Sequence, residues 1–452
     1  MSRQRTSLFA YGLLALPLAM VALPIYVQIP NYYATHVGLD IASIGLILFL
    51  VRLIDTGLDP FLGHYIARSE RGISSALLIG ALVIAVSFYA LWLPPLDIVD
   101  SNPEIRLVWL SFFLCLVYLA HSLMQISFMA WGAQLQDPRQ SVLMRASAWR
   151  EGFGLLGIMI ASTLPSFILN GEPAQIRSQL TWYIAAFIVV LVFAYLLLNF
   201  LAMPYVRSGV AASAILSEAT SEARSNTSKE SIFKSIKQVF QQPHFKHLAS
   251  IYFVNSLALG ISSSLVLFFI NDYLLANKLT PYYLGSYFLA ASVGLPIWVK
   301  LAQRWGNVLT WKIAIMLSVL GFIGVLMLDA DSQNYFFLIC IGSGFALGAD
   351  LALPPVMLNQ LIPKHEGAAR YFGVWNFIAK LAVSCAGLSL TLLAFLGYQA
   401  NSTASHTNTV FSGQTSLLLV YALLPCCLKL MCLALLWNYP NEKITPTPDI
   451  RA

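Results

Sequence analysis

Charge is what this sequence has least of. Of its 452 residues only 10% are Asp, Glu, Lys or Arg, against 58% hydrophobic. A water-soluble domain carries about 25% charged residues to meet its solvent. A soluble globular protein is therefore excluded, and the high hydrophobicity excludes a disordered one. The formal charge of +6 does not signal nucleic acid, because the bases lie between apolar runs rather than along one face. Cysteine patterning is missing as well. Cys115, Cys340, Cys385, Cys426, Cys427 and Cys432 all sit in apolar stretches, with no C-x-x-C pair and no flanking histidines. That excludes a disulfide framework and a zinc site, and the six read as small buried hydrophobes. There is no phosphate-cradling glycine loop for ATP. No nucleophile–base pair or metal cluster is evident, so neither an enzyme nor a cofactor is expected.

What the chain has in abundance is long apolar runs, and its mean hydropathy is +0.73. A bilayer core needs about 20 mainly apolar residues per helix. Twelve runs qualify, near 8–36, 38–67, 73–94, 105–134, 141–169, 179–201, 244–276, 281–303, 309–329, 333–362, 369–397 and 412–438. The first follows Arg3 and Arg5 but is too long for the core of a signal peptide, so it is kept as a span. Alternate loops differ in charge. One set holds only Arg106, Arg177 and Lys278; the other holds the remaining loop bases, among them Arg68, Arg139, Lys237, Arg304 and Lys364. By the positive-inside rule both termini are expected in the cytoplasm.

The one long hydrophilic connection follows the sixth run. This divides the chain into a first half at 1–203, a linker at 204–242, a second half at 243–438 and a cytoplasmic tail at 439–452. Within the linker, Ser231 to Phe240 reads either as a surface amphipathic helix or as solvated chain. Spacings repeat between the halves: Pro60 precedes Arg68 by eight residues, as Pro296 precedes Arg304, and Arg145 follows Pro138 by seven, as Arg370 follows Pro363. Two parallel halves related about the membrane normal fit this repeat. The expected fold is an all-α membrane protein of twelve transmembrane helices in two six-helix halves, the organisation of a major facilitator.

Ionisable groups inside a span are functional by default, since stranding one in lipid costs about 2.5–3.5 kcal/mol even on gentle scales. Span 2 holds Arg52, Asp55 and Asp59, whose offsets of three and four residues place them on one face. Two carboxylates one turn apart repel unless a cation or proton lies between them. Hard cations take several oxygen ligands, and Thr56 lies beside the acids. The matching stretch of span 8, Ala291 to Leu295, has no acid, so the task belongs to the first half. The opposing reading has Arg52 neutralising one acid and Asp59 facing a vestibule. Asp350 in span 10 is read as a second coupling acid or as a vestibule residue near the outside, and Pro354-Pro355 as a break in helical hydrogen bonding. His121 is read as a proton relay or as an interhelical hydrogen-bonding histidine. Asn376, four residues before Lys380, shares its face. Gly342, Gly344 and Gly348 are expected to pack against a neighbouring helix.

The run Val51-Arg52-Leu53-Ile54-Asp55-Thr56-Gly57-Leu58-Asp59-Pro60-Phe61-Leu62-Gly63 resembles the span-two signature of the glycoside–pentoside–hexuronide:cation symporters. Tyr11-Gly12, Tyr32-Tyr33 and Gly38-Leu39 are also similar to that family, and the phase of the spans extends the likeness over nearly the whole chain. The resemblance implies that Asp55 and Asp59 bind Na⁺, Li⁺ or H⁺. It places the family's span-four hydroxyl ligand at Ser122, its span-five arginine at Arg150 and its span-eleven lysine at Lys380. Several family residues are missing: Leu58 replaces an asparagine ligand, Ala19 and Gln125 replace sugar-gripping acids, and Met129 replaces an aromatic platform.

The expected function is cation-coupled symport of a small solute by alternating access, with Na⁺ or H⁺ as coupling ion. Asp55, Asp59, Thr56 and Ser122 form the expected cation site. Gln125, Met129, Arg150, Asn376 and Lys380 form the expected solute site, with Arg52 and Glu151 as structural charge partners. Loss of the sugar acids with retention of Arg150 and Lys380 suggests an anionic solute. The opposing reading pairs Lys380 with the span-two acids and Arg150 with Glu151, leaving a sugar-like one. Lysolipid transport is the alternative function, and a non-transporting sensor a third. The expected setting is the inner (plasma) membrane, with the protein monomeric and its only partners solute and lipid.

Overall fold

The computed structural model describes residues 2–68, 72–133, 141–202, 239–329, 332–361, 368–398 and 413–439. Nearly all of the expected linker at 204–242 and tail at 439–452 lies outside the described residues, as does most of the Ser231 to Phe240 segment. Among the described residues the regular structure is entirely helical. Twelve helices are long and apolar enough to cross a membrane. In chain order, spans 1 to 6 are Thr6–Thr35, Ile41–Asp59, Ser74–Trp92, Pro103–Met129, Trp149–Leu169 and Pro173–Leu201. Spans 7 to 12 are Pro243–Tyr273, Asn277–Trp305, Asn307–Val325, Gln333–Leu358, Gly373–Phe395 and Gln414–Trp437. Each matches one of the twelve expected runs.

One local boundary needs correction, and the proline pair of span 10 costs hydrogen bonds without ending its helix. Span 6 starts at Pro173 rather than near 179. Its first two turns are polar and so invisible to hydropathy, yet a proline suits the first helical position, and Arg177 donates to the Pro94 carbonyl at 3.0 Å. Span 10 runs as one helix, Gln333–Leu361, straight through Pro354 and Pro355. Those two prolines remove the donors for the carbonyls of residues 350 and 351, but the helix does not break.

Within each half, helices pack where side chains are small. Gly344 and Gly348 lie against the backbone of span 8, and a Cβ on Gly348 would come within 2.7 Å of the Leu295 nitrogen. Gly342 faces open space instead, so only two of the three expected glycines pack. Trp298 of span 8 returns the contact by donating to the Phe345 carbonyl at 2.7 Å.

Among the described residues the halves meet chiefly along three helix pairs: span 1 with span 7, span 2 with span 11, and span 5 with span 8. The named contacts lie on the side away from the termini. Ser384 donates to the Phe49 carbonyl at 2.9 Å and Thr391 to that of Ala42 at 3.1 Å. A Cβ on Gly45 would lie 2.8 Å from the Gly387 oxygen, so glycine allows the two backbones to touch there. Phe167 and Tyr282 meet edge to face between spans 5 and 8. On the terminus side Gln125, Met129, Glu151 and Asn376 are exposed. The molecule is closed on the far side and open towards its termini.

A buried charge network braces the second half. Lys429 of span 12 meets Asp350 at 2.6 Å and donates to Asn255 of span 7 at 2.8 Å. Trp311 of span 9 donates to the other Asp350 oxygen at 2.8 Å. Asp350 is therefore neither exposed nor near the far side; it lies in the terminus-ward half of span 10, held by three neighbouring spans. Breaking a buried ion pair from one side costs about 3–5 kcal/mol, because an uncompensated charge is left in the interior. Asp350→Asn and Lys429→Met are each expected to lower the unfolding temperature in detergent sharply. The double variant, which removes both charges, is expected to recover much of the loss.

Candidate cation and solute site

Span 2 carries Asp55 and Asp59 one turn apart, so both carboxylates point the same way. They face span 4, which supplies Ser122, and span 11, which supplies Lys380. The Ser122 hydroxyl donates to Asp55 Oδ1 at 2.5 Å. Lys380 Nζ lies 2.5 Å from Asp59 Oδ2, 2.8 Å from Ser122 Oγ and 3.2 Å from Asp55 Oδ2. Four residues from three helices thus converge on one point. Asp55 is fully buried at 1% exposure, while Asp59 and Lys380 remain about one quarter and one fifth exposed. The ammonium stands among three oxygens.

The groups in contact do not balance: two carboxylates against one ammonium leave a formal charge of −1. Asp55 Oδ2 and Asp59 Oδ1 are also buried without a hydrogen-bond donor. The Lys380 ammonium stands 3.2 Å from Asp55 Oδ2, whereas Asp59 Oδ1 has no such neighbour, and a buried acceptor is costly unless something positive or protic meets it. Oxygen ligation and protonation are both chemically open to this cluster.

Other expected residues divide. Thr56 is buried, but its hydroxyl donates back to the Arg52 carbonyl at 2.8 Å, which keeps it on its own helix and out of the oxygen cluster. Arg52 does not neutralise an acid as expected. Its guanidinium lies over the Tyr118 ring of span 4 at 4.6 Å. Offsets of three and four fix a common face but not the partner, and the cation that meets the acids arrives from the other half. Arg150 has the partner that was weighed for it, meeting Glu151 at 2.8 Å; it also hydrogen-bonds Tyr11 and lies 2.7 Å from the Met129 sulfur. Gln125, Met129 and Asn376 are exposed on the open side, and Asn376 lies one turn from Lys380. His121 faces the Leu18 backbone of span 1, next to Ser122, as an interhelical histidine does.

Two features escape a reading by motif. Tyr252 and Trp375 stack across spans 7 and 11 with ring centroids 3.8 Å apart. Lys429, the partner of Asp350, is the other. A lysine inside Cys427-Leu428-Lys429-Leu430 was signal enough by the rule applied to Asp55, whereas nothing in a linear sequence pairs Tyr252 with Trp375. Removing the Ser122 hydroxyl leaves Asp55 Oδ1 without its donor at a buried site, at a cost of about 1–3 kcal/mol. Ser122→Ala is therefore expected to unfold at a lower temperature than wild type, and Ser122→Thr, which keeps the hydroxyl, close to it.

Comparison with known proteins places this geometry. The chain is similar to low-affinity glucose transporters of Kluyveromyces lactis, at 26% identity over 137 residues, and of Saccharomyces cerevisiae, at 26% over 139. These matches cover 30% of this chain and only 22% of each relative. Among solved structures, the nucleoside transporter NupG superposes with a TM-score of 0.65 at 14% identity, over 97% of this chain and 100% of that one. A bacterial homologue of the iron transporter ferroportin in an inward-facing state gives 0.66 at 12% identity, over 98% and 99%. Those likenesses establish the fold alone, a bundle of membrane-crossing helices. The model described as MFS/sugar transport protein matches residues 8–443, nearly the whole chain, and that is the family to which this protein belongs.

Proposed function

We propose that the protein is a cation-coupled symporter for a neutral, hydroxylated solute, sugar-like in chemistry. The observation that carries the coupling is the unbalanced cluster of Asp55, Asp59, Ser122 and Lys380, one negative charge in excess with two buried carboxylate oxygens lacking donors. One Na⁺ or one H⁺ neutralises it. In the proposed cycle Lys380 is a tethered placeholder. The arriving cation takes its oxygens, the ammonium withdraws, and a contact that crosses the halves is released. Ion binding thereby shifts the equilibrium between open states by a reciprocal coupling.

The neutrality of the solute follows from where the bases are. Arg150 is occupied by Glu151, and Lys380 by the two span-two acids. Neither is free to hold an anion, which favours the sugar-like reading over the anionic one. The family and the glucose transporters it resembles agree with that choice. Exposed Gln125 and Asn376 offer both donors and acceptors to hydroxyls. The loop bases favour cytoplasmic termini, and on that reading the open side of this structure is the inner one.

A ligand that binds only the folded state raises its apparent stability, by about 2.7 kcal/mol at 100 times its dissociation constant. Unfolding of the purified protein at fixed pH, with and without Na⁺ or Li⁺, is expected to show such a rise in wild type and none in Asp55→Asn/Asp59→Asn. Lys380→Ala, which removes the competitor, is expected to respond at lower cation concentration. A pH response that the double variant loses, without any Na⁺ or Li⁺ response, assigns the coupling to H⁺. Indifference of wild type to ions and pH alike would sink the symport reading and turn attention to lysolipids.

A further inference from the structure

Between the halves, on the closed side, lies a second polar cavity of about 270 Å³. It is built from the far-side ends of spans 1, 5 and 7 and the start of span 8, so both halves contribute walls. Its chemistry differs from that of the central cluster. Carboxamides dominate: Asn31, Asn170, Asn271 and Asn277 line it, with the hydroxyls of Ser166 and Thr280. Each carboxamide offers donors and acceptors together, a set that matches hydroxyl groups. The volume lies just below the usual range of ligand sites, about 300–1,000 Å³.

Several of these groups lack protein partners. Thr280 is 2% exposed and its hydroxyl meets no donor or acceptor of the protein; the Asn271 carbonyl oxygen is likewise buried without one. The direct link across the halves, from Asn271 Nδ2 to Asn31 Oδ1, is stretched to 3.5 Å, the limit of a hydrogen bond. Polar groups that close a gate by binding each other would be better matched than this. Charge gives the cavity a sign. Asp272 lines it, with its carboxylate accepting from the Tyr398 hydroxyl. His36 is the one base among the lining residues, and its Nδ1 meets the Thr35 hydroxyl at 2.7 Å. The lining thus disfavours anions.

We infer that this cavity is a far-side solute subsite, which holds a neutral hydroxylated molecule of monosaccharide size against the carboxamides of Asn31 and Asn271. It rests on the sugar-like reading of the solute but not on cation coupling. It is separate from the cluster at Asp55 and Lys380, and it is formed while the molecule is open towards its termini.

Asn277 is exposed on the cavity wall, so Asn277→Cys reports occupancy. The full chain in proteoliposomes is treated from the far side with a membrane-impermeant maleimide, and modification of that residue is followed by peptide mass spectrometry. Methyl α-D-glucoside at about ten times its dissociation constant is expected to slow the modification about tenfold by mass action. D-glucuronate is expected to leave the rate unchanged. Protection should disappear in Asn31→Leu and in Asn271→Leu, each first checked for an unaltered unfolding temperature. It should persist in Asp55→Asn/Asp59→Asn, whose central cluster is disabled. A rate indifferent to the glucoside overturns the proposal, as does equal protection by glucuronate or protection that survives both leucine substitutions. Protection lost with Asp55→Asn/Asp59→Asn also overturns it, by tracing the effect to the central site. If wild type shows no ion response yet the glucoside still protects, coupling fails and the far-side subsite stands.

Discussion

An ammonium held by carboxylates from the other half of the molecule is the interaction on which this architecture turns. Lys380 belongs to the second half, whereas Asp55, Asp59 and Ser122 belong to the first. At membrane depth none of these charges is tolerable alone, so the pairing fixes how spans 2 and 11 face each other. From there the seam tightens towards the far side. The hydroxyls of Ser384 and Thr391 reach carbonyls of span 2, and Gly45 lets the backbone meet that of Gly387. The polar latch sits midway along the span, and close backbone packing seals the end beyond it. In the proposed cycle a seam graded in this way opens from the latch outwards, because the contacts nearest the charges are the ones the cation replaces.

The protein contains two lysine–aspartate pairs of nearly the same length, 2.5 Å for Lys380 with Asp59 and 2.6 Å for Lys429 with Asp350. Chemistry does not distinguish them; placement does. Lys429, Asp350, Asn255 and Trp311 all belong to one half, so a rocking motion of the halves leaves their distances unchanged. They are buried, and both Asp350 oxygens have donors. The Lys380 cluster crosses the boundary, is partly exposed to the open cavity and leaves two oxygens without donors. The first arrangement resists change and the second invites it. A buried ion pair is weak evidence for stability in general, and here its position in the motion is the better guide to its role.

The sequence made the number of spans legible because apolar length is a one-dimensional property. It made the shared face of Asp55 and Asp59 legible because helical spacing fixes direction. Ser122 and Lys380 entered through family resemblance, and they converge on those acids. Partner choice was not legible. Arg52 shares the acids' face yet lies over Tyr118, and Thr56 turns back to its own helix. Both outcomes depend on which helix stands opposite, and spacing carries no such information. The start of span 6 was missed because its first turns are polar, although Pro173 marks it. Lys429 was overlooked for a different reason: a single base in an apolar run draws less notice than a cluster, while the physical cost of burying it is the same.

Compensation of charge also shapes what the pathway can select. In the open cavity Arg150 answers to Glu151, and Lys380 answers to the span-two acids. On the closed side the lining is mostly carboxamide and hydroxyl, with one carboxylate that takes a hydrogen bond from a phenol. Along such a route a neutral solute meets matched donors and acceptors at both ends, whereas an anion meets no free base at either. Discrimination then rests on hydrogen bonds that must be satisfied out of water, where a missing hydroxyl leaves a buried group unpaired and is strongly rejected. In the proposed reading the excess negative charge at Asp55 and Asp59 is left for the coupling ion alone. In the proposed cycle, separating the two ligands by chemistry, charge for the ion and hydroxyl matching for the solute, lets each be recognised without competing for the same groups.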